Sequence, residues 1–366
     1  MLRRIDWILF ALFCFNFAVL FYLFPSTSSD INRRQYDHIE PSFSNTYETN
    51  YFCFKVHQRI ENEKMNEQLN LVSQQNIRLT LPIFLNSTRQ QSNEIPYRYS
   101  TWQSSPNLPR RLTPCDHYVY TELLSILDQF FRRHQIEYLM VAGTLLGSYT
   151  HHDFLPWDDD VDLRISFYNR NRMYTFLQKE LRNIITVMNV TDSLGNYDKI
   201  YFSWSPQAGI EKWSYPYIDV FYFYENLTHI WRTDYDEDLI TNCSMAKHDV
   251  FPLVWRPFGR IWLPAPREPL VIFEMQQWTT MNKLYYAKNY SHKYERMMSF
   301  TSGQARPHEL YSYYPWVQRN CFETYCIEQL ISSFNHINNT IHSIRFDKYR
   351  NELVFDSKQG NRKCPL

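Results

Sequence analysis

Residues 138–165 read YLMVAGTLLGSYTHHDFLPWDDDVDLRI, and this stretch predicts a strand, a tight glycine turn, a short helix and an acidic strand. Asp158, Asp160 and Asp162 alternate, so on a strand their side chains share one face, whereas Asp159 points to the other. Like charges this close repel one another unless a cation lies between them. Because Mg²⁺ and Mn²⁺ take oxygen ligands, the pattern predicts a divalent-metal site for phosphoryl transfer. A solvated acidic loop or a weak Ca²⁺ site is the alternative.

Helical and strand patterns alternate around this stretch. Thr113-Pro114 is a helix-start signal, and the apolar positions that follow fall on one helical face. The sequence then predicts a helix over residues 171–182 and strands over residues 136–142, 184–188, 200–204 and 217–224. Later helical patterns occupy residues 268–286 and 322–336. The order indicates an α/β fold.

Composition limits the classes of partner. The chain has 366 residues, of which 44% are hydrophobic, so a sizeable packed core is possible. Its 38 Lys and Arg residues balance its 38 Asp and Glu residues. A nucleic-acid-binding surface usually shows a basic excess, so we expect no nucleic-acid partner.

The N-terminus carries an apolar segment. Residues 7–24 contain no charge, which is near the lower length limit for a membrane-spanning helix. Arg3 and Arg4 precede it, so we expect a single-pass type II anchor with the rest of the chain in the lumen of the Golgi or the ER. A cleaved signal peptide is the competing interpretation. The predicted organisation is a cytosolic stub and anchor (1–24), a lumenal stem (25–111), a catalytic domain (112–300) and a C-terminal extension (301–366).

Sequons and cysteines fit this topology. Six N-x-[ST] sequons follow the anchor, at Asn86, Asn189, Asn226, Asn242, Asn289 and Asn338. Six of the seven cysteines also follow it, an even number that suits disulfide bonds in an oxidising compartment. The alternative is a zinc site using Cys243, His248, Cys321 and Cys326, although the spacing matches no standard zinc pattern.

Two segments resemble the LicD family, which includes bacterial phosphocholine transferases, fukutin and fukutin-related protein. Residues 143–163, GTLLGSYTHHDFLPWDDDVDL, closely resemble the family signature. Residues 248–253, HDVFPL, and the downstream Pro264-Ala265-Pro266 are similar to a second family segment. The resemblance covers about residues 115–290. It implies a polymerase-β-type nucleotidyltransferase core of the α+β kind, with a mixed sheet flanked by helices.

The chain departs from the family pattern at two places. His151-His152-Asp153 replaces an Arg-His start of the loop, so a basic contact to the donor is missing or is supplied differently. Residues 284–287, LYYA, lack a glycine that the family often has after its last helix. The acidic residues are intact, so we expect activity.

The resemblance implies roles for the acidic residues. Asp160 and Asp162 are the expected main ligands of Mg²⁺ or Mn²⁺, with Asp158 as a third ligand or a supporting residue. Asp219, at the start of the strand over residues 217–224, is expected to hold the metal or to act as a base toward the acceptor. The alternative for Asp219 is a strand-edge residue at a turn.

Donor-binding candidates lie nearby. Gly143-Thr144 and Gly147-Ser148 are competing choices for a turn that brings backbone N–H groups to the diphosphate, and a plain structural turn is the alternative. The candidate residues for binding the diphosphate through their positive charge are Arg164, Lys199, Arg256 and Arg260. The alternative for each is an ordinary surface charge. Trp157 is interpreted as a core residue rather than a base-stacking one, and His151 and His152 stay open between donor contact and solvated loop.

The family resemblance implies a metal-dependent transferase that moves a phospho-alcohol from a CDP-linked donor to a glycan hydroxyl. Phosphocholine and ribitol phosphate are both open as the transferred group. The alternative is a catalytically silent family member that scaffolds or localises a Golgi glycosyltransferase. A nucleotide polymerase of the same superfamily is disfavoured by the expected lumenal topology and the neutral charge.

Overall fold

The computed structural model describes residues 55, 58–62, 83–84, 99, 102–192, 195–233, 243–275, 285–287, 289–298, 303–334 and 337–347. These residues belong to one compact unit, Thr49–Leu366. The predicted anchor at residues 1–24 lies outside the described residues, as do Cys14, Cys53, Cys364, Asn86 and Asn242. Within the described part of the chain, no helix combines the length and the apolar character needed to cross a bilayer.

Helices and strands alternate along the described chain. The named helices are α1 (Pro114–Arg133), α2 (Ala142–His151), α3 (Arg170–Glu180), α4 (Lys247–Val250), α5 (Pro269–Met275) and α6 (Pro307–Leu310). The strands are β1 (Ile83–Phe84), β2 (Tyr138–Met140), β3 (Asp162–Ser166), β4 (Ile185–Asp192), β5 (Gly195–Phe202), β6 (Tyr217–Glu225), β7 (His229–Arg232), β8 (Met245–Ala246), β9 (Val254–Phe258), β10 (Ile261–Ala265), β11 (Tyr285–Ala287), β12 (Tyr290–Ser291), β13 (Arg296–Met297), β14 (Gly303–Ala305), β15 (Trp316–Cys321), β16 (Tyr325–Phe334) and β17 (Ile337–Asp347).

Helix α1 begins where the sequence predicts it. Thr113 is the N-cap, Pro114 occupies the first turn, and Thr113 and Asp116 form a capping box in which each side chain accepts from the other's backbone N–H. The apolar face of the helix is buried in the main hydrophobic core. The capping box satisfies backbone N–H groups at the helix N-terminus, and the apolar face packs into the core, so both features stabilise the helix.

A mixed sheet forms the centre of the unit. Its strands run in the order β2-β3-β6-β5-β4, and β7 pairs with the far end of β6 and carries β8. Among the strand pairs in the described part of the chain, β3 and β6 are the parallel pair, and α3, β4 and β5 form the connection between them. The expected mixed sheet flanked by helices is confirmed.

The unit β2-α2-β3 forms the acidic end of this sheet. The chain leaves β2 through Val141 in extended conformation and enters α2 with Ala142 at φ 49°. Gly147 lets α2 lie against the loop that follows, because a Cβ there would come within 2.5 Å of the carbonyl oxygen of Asp153. Helix α2 therefore packs directly on the chain that leads into β3.

Asp198 ties α3 to the sheet. Its buried carboxylate on β5 accepts hydrogen bonds from Arg170 Nε (3.0 Å) and Nη2 (2.7 Å) and from Tyr174 Oη (2.7 Å), both on α3. Tyr222 on β6 also donates to it. A buried charge is tolerated when it is paired and fully hydrogen-bonded, so this network holds helix and sheet in one arrangement.

The C-terminal extension is an integral part of the same unit. Strands β1, β17, β16 and β15 form a second, antiparallel sheet. The predicted helix over residues 322–336 is wrong: residues 325–334 form β16, paired on one side with β15 and on the other with β17. The expected helix over residues 268–286 reaches Met275 in the described part, and Tyr285–Ala287 is a strand.

Cys321 and Cys326 are joined by a disulfide bond across the β15–β16 turn. The pairing excludes the zinc site considered for these two thiols. Cys115 is also disulfide-bonded, whereas Cys243 is a free, buried thiol.

His151 and His152 lie at the junction between α2 and the C-terminal sheet. His151 Nδ1 donates to the carbonyl oxygen of Pro315 (2.6 Å), and His152 Nε2 lies 2.8 Å from the Glu328 carboxylate. Burial lowers the pKa of each imidazole to about 4, so both are neutral at pH 7. The alternative of a solvated loop is therefore wrong, since both side chains are buried and hydrogen-bonded at this junction.

Part of the predicted stem belongs to the folded core. Ile60, Tyr99, Trp102 and Leu108 are buried in the main hydrophobic cluster. Strand β1 pairs with β17 of the C-terminal sheet. The folded unit therefore begins before the boundary expected near residue 112.

We expect Asp198→Ala to lower the free energy of unfolding by about 3 kcal/mol, because it leaves a partly buried guanidinium and two tyrosine hydroxyls without their acceptor. Asp347→Ala is the matched control: it also removes an arginine partner, Arg345, but this pair is exposed and contributes roughly 0–1 kcal/mol. Urea unfolding of both variants checks this. Equal losses in the two variants would contradict the assignment.

Candidate functional site

Asp162 and Asp219 lie side by side at the same end of the parallel pair. The register of β3 and β6 places Asp162 directly opposite Asp219. Asp162 N–H donates to Thr144 Oγ1 (2.8 Å), and Asp219 N–H donates to the carbonyl oxygen of Val161 (2.8 Å). The backbone thus fixes two carboxylates on neighbouring strands, which are about 4.8 Å apart in a sheet.

Asp158 and Asp160 lie on the turn that precedes β3. The strand begins at Asp162, so the expectation that all three alternating aspartates lie on one strand is wrong. The two turn residues nevertheless join the cluster: the carboxylate of Asp158 interacts with that of Asp160, and Asp160 interacts in turn with Asp162 and Asp219. The structure therefore brings the four predicted carboxylates into one electrostatically coupled group.

Crowding raises the pKa values of this group. Burial, followed by the charge of Asp160, holds the pKa of Asp158 well above its usual range. Burial and the charges of Asp160 and Asp219 do the same for the pKa of Asp162. Burial raises the pKa of Asp219 to about 6 against the opposing effect of Lys199. An all-oxygen donor set under mutual repulsion fits a hard divalent cation such as Mg²⁺ or Mn²⁺.

Lys199 is a positive charge within the cluster. It lies on β5 opposite Asp219, and its Nζ is 2.8 Å from Asp219 Oδ1. The ammonium also lies 3.6 Å from the ring centre of Tyr217 and 5.0 Å from that of Trp213. Asp162, Asp219 and Lys199 thus form a row across three strands.

His292 contributes a second positive charge, and sequence reasoning missed it. Its Nδ1 lies 2.9 Å from Asp159 Oδ1 and its Nε2 lies 3.2 Å from Asp160 Oδ2. Burial alone would lower the pKa of His292, but the charge of Asp160 and the hydrogen bond to Asp159 outweigh burial and raise the pKa to about 10. Both ring nitrogens of His292 face carboxylate oxygens, so His292 is a donor to carboxylates here, and Asp158, Asp159 and His292 also lie close enough together, within 4.8 Å, to share a metal ion. No local pattern marks it, because it lies 133 residues after Asp159.

Asp159 lies next to Asp158, and its carboxylate contacts a part of the chain that is distant in sequence. Its buried carboxylate accepts from Ser291 Oγ (3.1 Å), from His292 N–H (3.0 Å) and from His292 Nδ1, and Arg111 lies 3.7 Å away. Burial alone would raise its pKa, but the interactions with His292 and Arg111 outweigh burial and lower the pKa of Asp159. The sequence predicts that Asp159 faces away from Asp158 and Asp160 on a strand, but these residues precede β3, and His292 contacts both Asp159 and Asp160.

The two glycines of α2 have different surroundings. A Cβ on Gly143 would lie 2.2 Å from Asp158 Oδ2, so this position leaves room for the carboxylate at the start of the helix. Thr144 is buried and holds the backbone of Asp162. Gly147 lies in the middle of α2 against the backbone of residues 153–155. Of the two expected turns, Gly143-Thr144 is therefore the one at the helix N-terminus and the acidic cluster.

The remaining predicted cations separate into two groups. Arg164 is buried on β3, two residues from Asp162 and on the same face of the sheet. Arg256 donates to Glu328 (2.7 Å) in the junction with the C-terminal sheet, and Arg260 pairs with Glu122. The structure does not bring Arg256 or Arg260 into the contacts of the acidic cluster. Trp157 is buried in the core and packs edge-on against His151, as its core interpretation expects.

Comparisons with known proteins agree with this geometry. Residues 135–268 match the family described as LicD/FKTN/FKRP, nucleotidyltransferase domain. The lipopolysaccharide cholinephosphotransferase LicD of Haemophilus influenzae is 32% identical to this chain over 77 residues. That stretch covers 20% of this chain and 29% of the bacterial protein, so the chain matches less than a third of the relative's length. The family match includes the turn and the strand that carry the aspartates, and it identifies residues 135–268 as a nucleotidyltransferase domain of the LicD family.

Proposed function

We propose that this protein is a metal-dependent transferase that moves a phospho-alcohol, such as phosphocholine or ribitol phosphate, from a CDP-linked donor to a glycan hydroxyl. The observation that carries the proposal is the convergence of Asp158 and Asp160 from a turn with Asp162 and Asp219 from parallel strands, inside a LicD-family domain. The name of the bacterial relative supports transfer of a phosphate-linked alcohol.

Asp158, Asp160 and Asp162 would hold Mg²⁺ or Mn²⁺, with Asp219 beside them. The bound cation would neutralise negative charge on the donor diphosphate. Gly143 and Thr144, at the N-terminus of the ten-residue helix α2, present the positive end of the helix dipole to the same region. Arg164, on the same face as Asp162, is the remaining donor-binding candidate, and Arg256 is left out because Glu328 engages it.

The proposed reaction is an in-line displacement at the phosphorus that carries the alcohol. The acceptor hydroxyl oxygen forms a bond to this phosphorus, and the bond between the phosphorus and the bridging diphosphate oxygen breaks. CMP leaves with that electron pair. The hydroxyl proton passes to a carboxylate, for which Asp219 is the candidate because its pKa is raised to about 6. Positioning and charge neutralisation supply most of the rate in such chemistry.

We further propose that the chain is a type II membrane protein whose folded unit lies in the lumen of the Golgi or the ER. Its disulfide bonds are typical of an oxidising compartment. Asn226 lies in an exposed turn between β6 and β7, where a glycan would meet no obstacle, whereas the Asn189 side chain donates to Asn196, Tyr197 and Asp198.

Glycosidase treatment tests this location. We expect the apparent mass of the full chain, expressed in cells with a secretory pathway, to fall on treatment. Asn226→Gln should remove the mass of one glycan, whereas Asn189→Gln should leave the mass of the glycosylated chain unchanged. Insensitivity of the wild-type chain to the glycosidase would contradict the lumenal proposal.

CMP release by the full-length protein tests the reaction. We expect release from one member of a panel of CDP-choline, CDP-ribitol, CDP-ethanolamine and CDP-glycerol, in Mg²⁺ or Mn²⁺ but not in EDTA. Asp160→Asn and Asp162→Asn should each lower the rate by about 100-fold or more without unfolding the protein, because each removes charge from the cation site. Asp347→Asn, in the C-terminal sheet, is the control.

Other outcomes of this experiment are informative. Near-normal turnover in Asp160→Asn or Asp162→Asn would refute the metal assignment. Silence across the panel together with a lack of Mn²⁺ binding would favour the alternative of a silent family member that scaffolds a glycosyltransferase.

Two glycine substitutions in α2 distinguish an effect on the reaction from an effect on stability. Gly143→Ala should abolish CMP release because its Cβ displaces the Asp158 carboxylate, while the helix itself gains up to about 1 kcal/mol of propensity. Gly147→Ala should instead lower the free energy of unfolding by about 1–3 kcal/mol, because its Cβ meets backbone atoms that cannot move aside. Thermal melting and CMP release, measured on both variants, check this. A fully active Gly143→Ala protein would argue against a role for Asp158.

A further inference from the structure

The hairpin formed by β12 and β13, Tyr290–Met297, contacts the acidic turn although it lies outside the segment that matches the LicD family. The family match ends at residue 268, and the hairpin begins more than twenty residues later. Ser291 and His292 reach back to Asp159 over sequence separations of 132 and 133 residues. The site is therefore completed by a segment that lies outside the family match.

Asp159 receives a set of hydrogen bonds from this hairpin. Ser291 Oγ donates to Asp159 Oδ2 (3.1 Å), His292 N–H donates to the same oxygen (3.0 Å), and His292 Nδ1 donates to Oδ1 (2.9 Å). On the other side of the turn, Tyr120 Oη donates to the carbonyl oxygen of Asp159 (3.0 Å). Both the side chain and the backbone of Asp159 are thus fixed by groups distant in sequence.

The turn has further restraints on either side of Asp159: Asp158 N–H donates to the carbonyl oxygen of Leu155 (3.1 Å), and His292 Nε2 lies 3.2 Å from Asp160 Oδ2. Strand pairing begins at Asp162, so Asp158 and Asp160 are not held by a sheet ladder. Asp159 lies between them, and its side chain points to the hairpin while theirs join the acidic cluster. Fixing the central residue of a three-residue segment also fixes the directions of its two neighbours.

The hairpin is itself attached to rigid parts of the fold. Lys293 Nζ lies 3.2 Å from Asp116 in the first turn of α1. Glu295 accepts hydrogen bonds from Trp213 Nε1 (2.9 Å), from Tyr290 Oη (2.6 Å) and from Tyr217 at the start of β6. Glu295, with three donors, is the main attachment and fixes the hairpin to the start of β6, whereas the partly exposed Lys293–Asp116 pair adds stability.

We propose that Asp159 is a positioning residue: held by Ser291 and His292, it orients the turn so that Asp158 and Asp160 face the cation that Asp162 helps to hold. The inference rests on the proposed function and adds to it a hairpin that shapes the metal site. Partners of metal ligands typically change metal affinity by about 10–100-fold when they are removed.

Mn²⁺ affinity of the full chain tests the proposal. The variants are Ser291→Ala, Asp159→Ala and the double variant, and Lys293→Ala is the control because it removes a hairpin contact to α1 but none to the turn. We expect Ser291→Ala, which changes no charge, to weaken Mn²⁺ binding by about tenfold. Asp159→Ala should weaken it at least as much. The double variant should match Asp159→Ala within about twofold, because Ser291 acts through Asp159.

The control separates positioning from general stability. Lys293→Ala should lower Tm and keep the wild-type Mn²⁺ affinity. If Ser291→Ala also lowers Tm while Mn²⁺ affinity stays at the wild-type value, or if the effects of the single variants add in the double variant, the proposal is overturned. Should Asp159→Ala fail to fold, the Mn²⁺ affinities of Ser291→Ala and Lys293→Ala still test the proposal: weaker binding in Ser291→Ala alone supports it, and equal affinities overturn it.

The design distinguishes this inference from the proposed function. A wild-type chain that binds Mn²⁺ but releases no CMP from any donor when glycan acceptors are present would refute the transferase proposal, and the Mn²⁺ series would still test Asp159. A wild-type chain that releases CMP but binds no Mn²⁺ would overturn the positioning role instead.

Discussion

Mutual repulsion among carboxylates at one end of a parallel strand pair is the constraint on which the rest of the site depends. Two unit charges 4 Å apart repel by about 4 kcal/mol at an effective dielectric of about 20. Each neighbouring element offsets part of this cost. Lys199 pairs with Asp219, and His292 bridges Asp159 and Asp160. The carboxylates outnumber these two partners, and an all-oxygen donor set of this kind suits a hard cation, which would in turn neutralise a diphosphate.

The backbone of β3, β6 and α2 determines where these carboxylates lie. The parallel register of β3 and β6 brings together residues that lie 57 positions apart in the sequence, Asp162 and Asp219. Helix α2 fixes the start of β3 through Thr144 and leaves room for Asp158 at Gly143. The cluster therefore sits where a strand, a helix N-terminus and a distant hairpin meet, and these are the places where backbone groups and charges can be preorganised.

Local sequence patterns predict much of the fold and of the acidic site. Thr113-Pro114 marked the start of α1, the β-forming residues 217–224 marked β6, and the alternating aspartates marked the acidic site. The failures have tertiary causes. Residues 322–336 show a helical pattern, but residues 325–334 form a strand because they pair with β15 on one side and β17 on the other. Arg256 pairs with Glu328, which lies 72 residues later in the sequence, so no local pattern reveals this contact. Likewise, nothing in the sequence around His292 distinguishes it from an ordinary surface histidine.

The junction between α2 and the C-terminal sheet has a consequence for where the domain ends. Glu328 is shared by Arg256, Arg319 and His152, so the family segment and the last three strands enclose one buried charge together. A shortened chain that stopped at residue 268 would keep Arg256 and His152 but lose the carboxylate that pairs with them. It would also uncover the C-terminal end of the helix whose first turn faces the aspartates. The smallest fragment expected to preserve the site therefore extends to β17, well beyond residue 268, where the family match ends.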